Sequence, residues 1–506
     1  MTTLSPRPAA KRISTQQELN SAIWAICDIL RQSNYSGAVE YVPELTWLLF
    51  LRILDQREEA EAKKAAAVGA PFTPSLAAPY RWRDWARPGS DPREGKLGAL
   101  FEFVNHQLLP HLKALRDQPN ATSRQKVIGG IVSGIEQVRV ESETSLKDVL
   151  DRIHAISDVD PTHMFAISQA YEGLLLRMGD KKNDGGQFFT PREIIRAMVQ
   201  VVKPQLGQTI YDPCCGTGGF LAQAYEYIQH ESGKDAAPQQ ISDLKQRAFY
   251  GREKAKLIYP ITLANLVLHG IDQPNIWYGN TLTDNEFYAG LFDDAPNQFD
   301  IILTNPPFGG KEGDDAQTRF AYKTKATQVL FLQHVINKLK KGGQCGMVVD
   351  EGVLFKTNEL AFVQTKRKLL DECNLYCIVS LPAGVFDAAN AGVKTDLLFF
   401  TKGEKTERIW YYDLSSIKVG KKTPFTLDRF DDFFKLLPTF ADGPHSWSVS
   451  RKEIEAKNYD LKAVNPNASR DQDTRTPAEL LDIIAAKGEE VAEALSRLRG
   501  ITALQG

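Results

Sequence analysis

The spacing of apolar positions divides the chain into three textures. From Gln16 to about Arg177 it is helical. Leu45, Leu48, Leu49 and Ile53 recur three and four apart, in a run of strong helix formers ending EEAEAKKAAA. The stretch VGAPFTPSLAAPY breaks the pattern, which resumes with Leu97, Leu100, Phe101, Val104 and Leu108. Phe165 to Met178 predicts another amphipathic helix. No cluster of chemically active side chains falls here, so residues 1–160 read as an all-helical packing or partner-binding domain.

At about Lys203 short β-rich runs begin to alternate with helical ones. QTIYDP precedes a helix from Phe220, and AFYGRE precedes one through Leu263, Leu266 and Leu268. IWYGN, FDIILTNPP, GQCGMVV, YCIVSLP and DLLFFTK follow, with a helix from Val329 to Leu339 expected to stop at KKGG. Such alternation predicts βαβ units, hence an α/β fold with a mostly parallel sheet over residues 161–442. After Asp442 the pattern thins into a polar, loop-like stretch. A last helix starts near Pro477, with Leu481 and Leu495 in one heptad position and Ile484, Val491 and Leu498 in the matching one. Fewer than three heptads cannot make an independent coiled coil, so this helix packs on its own domain or against a partner helix. Residues 443–506 are assigned to partner contact.

Composition narrows the class. The 506 residues are 42% hydrophobic and 25% charged, as expected of a globular chain. With 61 basic and 63 acidic side chains, bulk charge does not favour stand-alone binding to nucleic acid. The six cysteines form neither a disulfide ladder nor a CxxC–His metal set, so reduced thiols and no metal are expected. No secretory signal is visible, and no apolar run approaches the ~18 residues of a membrane span. A soluble, cytoplasmic protein without a membrane partner is the expectation.

The chemistry concentrates at strand ends. IYDPCCGTGGF follows the first strand and opens a helix, where Gly216, Gly218 and Gly219 would let the backbone approach a ligand. The spacing is not GxGxxG, and no GK[ST] follows, which excludes a phosphate-cradling loop. Asp212 repels phosphate but suits an ammonium or a sugar hydroxyl. Glu253 ends the second strand, where an acid accepts hydrogen bonds from ribose hydroxyls. The pair favours a nucleoside with a cationic tail. FDIILTNPPFGG should form the strand beside the first, at the point where the strand order reverses. There the Asn305 and Pro306 carbonyls, held by prolines, are two convergent acceptors for an exocyclic amino group, and Phe308 offers a face to a planar base.

This order of motifs resembles the S-adenosylmethionine-dependent amino-methyltransferases. GGQFFTPREI, Gly185 to Ile194, is similar to the upstream cofactor motif of DNA adenine methyltransferases, and most closely to modification subunits of type I restriction–modification systems. ISQAYEGLLLRM, LPAGVFDAANAGVKTDLLFF, the helical N-terminal part and NYDLKAVNP look like that family too, so the likeness spans most of the chain. It implies a Rossmann-like methyltransferase sheet with an all-helical N-terminal domain and a helical C-terminal tail. It also implies that Gln187, Phe188, Phe189, Thr190, Pro191, Arg192, Gly216, Thr217, Gly218, Gly219 and Glu253 contact S-adenosylmethionine. Asp212 would support the cofactor's amino-acid end, and Asn280 and Thr281 would lie near its adenine. Asn305, Pro306, Pro307 and Phe308 would hold a flipped target adenine for methylation at N6 of double-stranded DNA. By its own physics GGQFFTPREI is a helix start, with Thr190 as N-cap, Pro191 at the first helical position and Glu193 completing a capping box.

Sequence choice points outside the chain. After Phe308 there is no long insertion to read bases in a groove. Lys311, Arg319, Lys323, Lys325, Lys338, Lys340 and Lys341 suit phosphate contact or a solvated face. A specificity partner that reads DNA is therefore expected, and the type I resemblance implies the same: a specificity subunit, a second modification subunit and a restriction (motor and nuclease) subunit. Two other readings carry part of the pattern: methyltransferases of other amino groups share NPP[YF], and a cofactor-sensing scaffold would keep the glycine turn without needing Asn305.

Overall fold

Each of the seven predicted strands is present, in a sheet of ten strands. The computed structural model describes residues 16–33, 38–156, 190–232, 235–288, 295–386, 394–420, 423–467, 480–482, 484–492 and 495. The strands are β1 Ile210–Asp212, β2 Phe249–Glu253, β3 Asn275–Asn280, β4 Asn285–Tyr288, β5 Phe299–Thr304, β6 Leu339–Asp350, β7 Cys373–Ser380, β8 Thr395–Lys402, β9 Arg408–Asp413 and β10 Ser446–Ser450. Their order across the sheet is β10-β9-β7-β8-β6-β5-β1-β2-β3-β4. β2, β1, β5 and β6 run parallel, and β3 joins them through β2. β5 therefore lies beside β1, and the order reverses between them, as the sequence predicts. A crevice opens beyond the carboxyl ends of strands at such a switch point.

Three strands were not anticipated. β4 folds back antiparallel on β3, and β9 and β10 extend the other edge. β10 lies beyond Asp442, in the stretch that reads as loop, and Ser450 caps a short helix, Arg451–Ala456, through a capping box. KKGG is not a helix stop. The helix ends at Lys338, and Leu339 to Gly343 already belong to β6.

The helical part is built on α1 Gln16–Gln32, α2 Ala38–Ala67, α3 Ser123–Val132 and α4 Glu143–Ala155. Leu45, Leu48, Leu49 and Ile53 are all buried on α2, as their spacing demands. Trp47 stacks on Trp85 at 6.3 Å between centroids. Leu97 departs from expectation: helix begins at Ala99, and Leu97 is 97% exposed. The predicted helix from Phe165 to Met178 lies outside the described residues.

Helices α5 Arg192–Val202, α6 Gly219–Ser232, α7 Ile258–His269 and α8 Thr327–Lys338 flank the sheet. The helical part leans on α7. Arg57 donates to the Val267 carbonyl at 2.8 Å, and a Cβ at Gly130 of α3 would meet Leu263 at 2.6 Å. Met1–Val464 form one compact unit and Asn465–Gly506 a second. In the second unit residues 480–482 and 484–492 are helical, and Leu481, Ile484, Val491 and Leu495 are exposed. Leu498 lies outside the described residues. No helix among the described residues is long and apolar enough to cross a membrane.

Candidate active site

The glycine turn leaves β1 and enters α6 with Gly216 and Gly218 in left-handed conformations, φ 51° and 83°. Their carbonyl neighbourhood is fixed from α7: Thr262 Oγ1 donates to the Gly216 carbonyl, and Asn265 Nδ2 donates to the Thr217 carbonyl at 2.9 Å. Glu253, at the end of β2, accepts the Gly216 N–H at 2.9 Å and the Ala255 N–H at 2.7 Å. Asp212 Oδ1 accepts from Thr304 Oγ1 at 2.8 Å and from the Cys214 N–H at 3.1 Å, so adjacent strands β1 and β5 are tied at their ends. Burial pushes both carboxyl groups up to about 7.

Beyond Thr304 the chain leaves a strand whose Ile301, Ile302 and Leu303 are fully buried. Asn305 Nδ2 donates to Thr190 Oγ1 at 3.0 Å. Asn305 Oδ1 is buried and has no hydrogen-bond partner among the described residues. Thr190 is therefore not the N-cap. Its hydroxyl engages Asn305, α5 starts at Arg192, and Pro191 stands at the cap without a side-chain bond. The Pro306 carbonyl accepts from Gln328 Nε2 at 3.2 Å. Phe308 meets Phe386 edge to face at 5.6 Å.

These groups surround one cavity of about 670 Å³. Of the predicted residues, Thr190, Arg192, Asp212, Gly216, Thr217, Gly219, Glu253, Asn280, Thr281, Asn305, Pro307 and Phe308 line it. Pro191, Gly218 and Pro306 stand behind the lining, and Gln187, Phe188 and Phe189 lie outside the described residues. The volume falls within the range of small-molecule sites, roughly 300–1,000 Å³. Two buried acids at one part of the wall and an unpartnered acceptor at another fit a cationic nucleoside and an amino-bearing base side by side. Cys214 and Cys215 are free thiols, raised by burial, with Cys214 Sγ 3.0 Å from Thr304 Oγ1. No group of residues that could hold a metal occurs among the described residues.

Several contributors were not anticipated. Thr304, Gln328, Thr262 and Asn265 hold the site from behind, and Phe287, Glu312 and Asp315 join its lining. Each is a single polar or aromatic residue inside an otherwise ordinary element and gives no local signal. Arg319, expected at phosphate or solvent, instead donates to the Thr283 carbonyl at 3.0 Å and pairs with Asp284 at 2.8 Å.

Comparison with known proteins identifies a family. A family model described as N-6 DNA Methylase matches residues 163–474, and one described as HsdM N-terminal domain matches residues 19–153. The chain is 34% identical over 507 residues to the type I restriction enzyme EcoEI methylase subunit of Escherichia coli, covering 96% of this chain and 97% of that one. It is 29% identical to the EcoKI methylase subunit of Escherichia coli K12, covering 87% and 80%. Among solved structures, a chain from a study of assembly and conformational transition in the type I R-M system has TM-score 0.74 at 34% identity, covering 98% of this chain and 100% of that one. A modification subunit assigned to a type I restriction enzyme of Vibrio vulnificus YJ016 has TM-score 0.78 at 32% identity, covering 91% and 99%.

Proposed function

The chain belongs to the N-6 DNA methylase family, as a modification subunit of type I restriction–modification systems, and on that premise we propose how its cavity transfers a methyl group to adenine N6. It is an adenine-specific DNA methyltransferase that acts in a complex with a specificity subunit, a second modification subunit and a restriction subunit. S-adenosylmethionine is the donor, and when bound it supplies an electrophilic methyl on a sulfonium. Asp212 and Glu253 would receive the cationic and hydroxyl groups of that cofactor, and Asn280 and Thr281 would hold its adenine.

The observation that carries the assignment is Asn305 Oδ1. A buried acceptor without a donor costs about 1–3 kcal/mol, a deficit that an incoming amino group removes. The target adenine leaves the duplex because its N6 cannot be reached inside the stack. Its amino group donates to Asn305 Oδ1 and Phe308 supports the ring, while the Pro306 carbonyl, held by Gln328 behind the lining, fixes the turn that carries both. When N6 takes the methyl, the methyl–sulfur bond would break to leave a neutral thioether and N6 would carry the positive charge; the fixed Asn305 Oδ1 binds that charge more tightly than the ground state, and the surplus N6 proton then passes to water. The remaining task is alignment of nitrogen, methyl and sulfur. No histidine among the described residues lines the cavity, and this chemistry requires none.

The test is transfer of labelled methyl from S-adenosylmethionine to DNA, with and without the specificity subunit. Label should appear on adenine N6 only with that partner. Asn305→Ala should bind the cofactor normally and lose transfer. Label on protein or RNA would overturn the reading.

A further inference from the structure

A single carboxylate joins two walls of the cavity. Asp284 sits in the turn between β3 and β4, at φ 60°, a left-handed conformation uncommon outside glycine. Its Oδ1 accepts from Arg252 Nη1 at 2.7 Å, and its Oδ2 accepts from Arg319 Nη2 at 2.8 Å. The two arginines belong to different structures. Arg252 precedes Glu253 on β2, is buried against Trp277, and also holds the Asn280 carbonyl at 3.3 Å and Glu286 at 2.9 Å. It thereby fixes the hairpin whose Gly279–Thr283 stretch faces the cofactor side of the cavity. Thr281 adds a bond to the Pro213 carbonyl of the glycine turn.

Arg319 belongs to the segment that follows Phe308. That segment is closed at its neck by the Lys311–Ala326 bridge, by the Glu312 N–H on the Lys325 carbonyl at 2.8 Å, and by Thr327 Oγ1 on Glu312 at 2.9 Å. Ala316 and Phe320 anchor it in the core, and Gln333 of α8 holds the Tyr322 N–H at 3.0 Å and the Tyr322 carbonyl at 2.9 Å. Its Gly310, Lys311, Glu312 and Asp315 face the same cavity from the target-base side. Through Arg319 this piece is attached to the hairpin at the Thr283 carbonyl and at Asp284.

We propose that Asp284 is a positioning residue that couples the cofactor wall to the target-base segment, so that binding on either side tightens binding on the other. The inference rests on the methyltransferase reading given above. If Asp284 holds both walls, whatever orders the hairpin also sets Arg319, and DNA held by the segment orders the hairpin in return. Such coupling is reciprocal by thermodynamic necessity. Arg319 does not line the cavity, and Arg252 reaches it beside Glu253. Arg319 and Asp284 are about half exposed, and exposed ion pairs are individually weak, so the expected factor is small, about three- to fivefold.

The experiment uses the modification subunit assembled with its specificity subunit. The dissociation constant of S-adenosylmethionine is measured by calorimetry with and without a duplex carrying the recognition sequence. In the native complex the duplex should tighten the cofactor about three- to fivefold. Asp284→Asn and Arg319→Ala should each bring that ratio close to one; Arg319→Ala, at the exposed end of the link, should do so with melting temperature and cofactor affinity without DNA near native, whereas Asp284→Asn also removes a charge partner of buried Arg252 and should lower both. The double variant should lose no more than either single one. A native ratio of one, an unchanged ratio in both variants, or losses that add would overturn the proposal. A merely structural ion pair would lower stability and leave the ratio alone. Failure of the native complex to bind cofactor or methylate DNA would instead strike the functional reading itself.

Discussion

The Pro306 carbonyl accepts a hydrogen bond from Gln328 Nε2 at 3.2 Å, and Gln328 Oε1 accepts the Asp350 N–H at 2.8 Å. One buried amide on α8 thus spans from the NPPF turn to the end of β6. Prolines fix the local torsions of the turn, but Gln328 fixes where its carbonyl sits relative to the sheet. Gln328→Leu leaves the buried Pro306 carbonyl and the part-buried Asp350 N–H without this partner, at a cost of about 1–3 kcal/mol for the buried one. We expect kcat to fall at least tenfold, with cofactor affinity within twofold of native. Gln328→Glu keeps the Asp350 contact and turns a carboxyl toward the Pro306 carbonyl, so it should lose kcat while recovering part of the lost melting temperature. Native kcat in both variants would show that the Pro306 carbonyl needs no such support.

How much of this was legible in the sequence follows from the range of the interactions. Asp212, Glu253 and Asn305 stand at the ends of apolar runs, and strand alternation with helices places such ends together. The glycines are local turn chemistry. Gln328 acts on a carbonyl 22 residues away and looks like one polar interruption in an apolar helix. Thr190 illustrates the opposite failure, since local rules suit it as a cap while tertiary contact with Asn305 takes its hydroxyl. β9 was missed although Ile409, Trp410, Tyr411 and Tyr412 form a continuous buried run of the same kind as β5 and β8.

The acids of the cavity predict a pH dependence. Burial raises Asp212 and Glu253 to about 7, against ordinary values of 3.8 and 4.5. Between roughly pH 4 and 7 the ligand-free fold therefore holds more protons than the unfolded chain, and its stability falls as pH rises through that window. A cationic ligand at Asp212 favours the carboxylate and releases a proton. Affinity for S-adenosylmethionine should then increase about tenfold from pH 6 to pH 8 for one such group. The cofactor-induced rise in melting temperature should be larger at pH 8 than at pH 6, and Asp212→Asn should flatten the difference. A larger rise at pH 6 would contradict the protonated resting state.

Two glycines separate the cofactor turn from general packing. A Cβ at Gly218 would lie 3.1 Å from Leu266 and 3.2 Å from Thr262, on a residue at φ 83°. Gly218→Ala strains the backbone by about 1–2 kcal/mol and pushes on α7, which holds the carbonyls of Gly216 and Thr217. Cofactor affinity should fall about tenfold or more, because a shift of the turn moves every N–H that faces the cavity. A Cβ at Gly129 of α3 would lie 2.7 Å from Arg116 Cβ and 2.9 Å from the Arg116 backbone nitrogen, which cannot swing aside. Gly129→Ala should therefore destabilise the helical part by about 1–3 kcal/mol. Gly129 is not in the cavity lining, so cofactor affinity measured well below the melting temperature should stay within twofold of native. Equal losses of affinity in the two variants would mean that the glycine turn has no privileged relation to the ligand, and the assignment of that turn would fail.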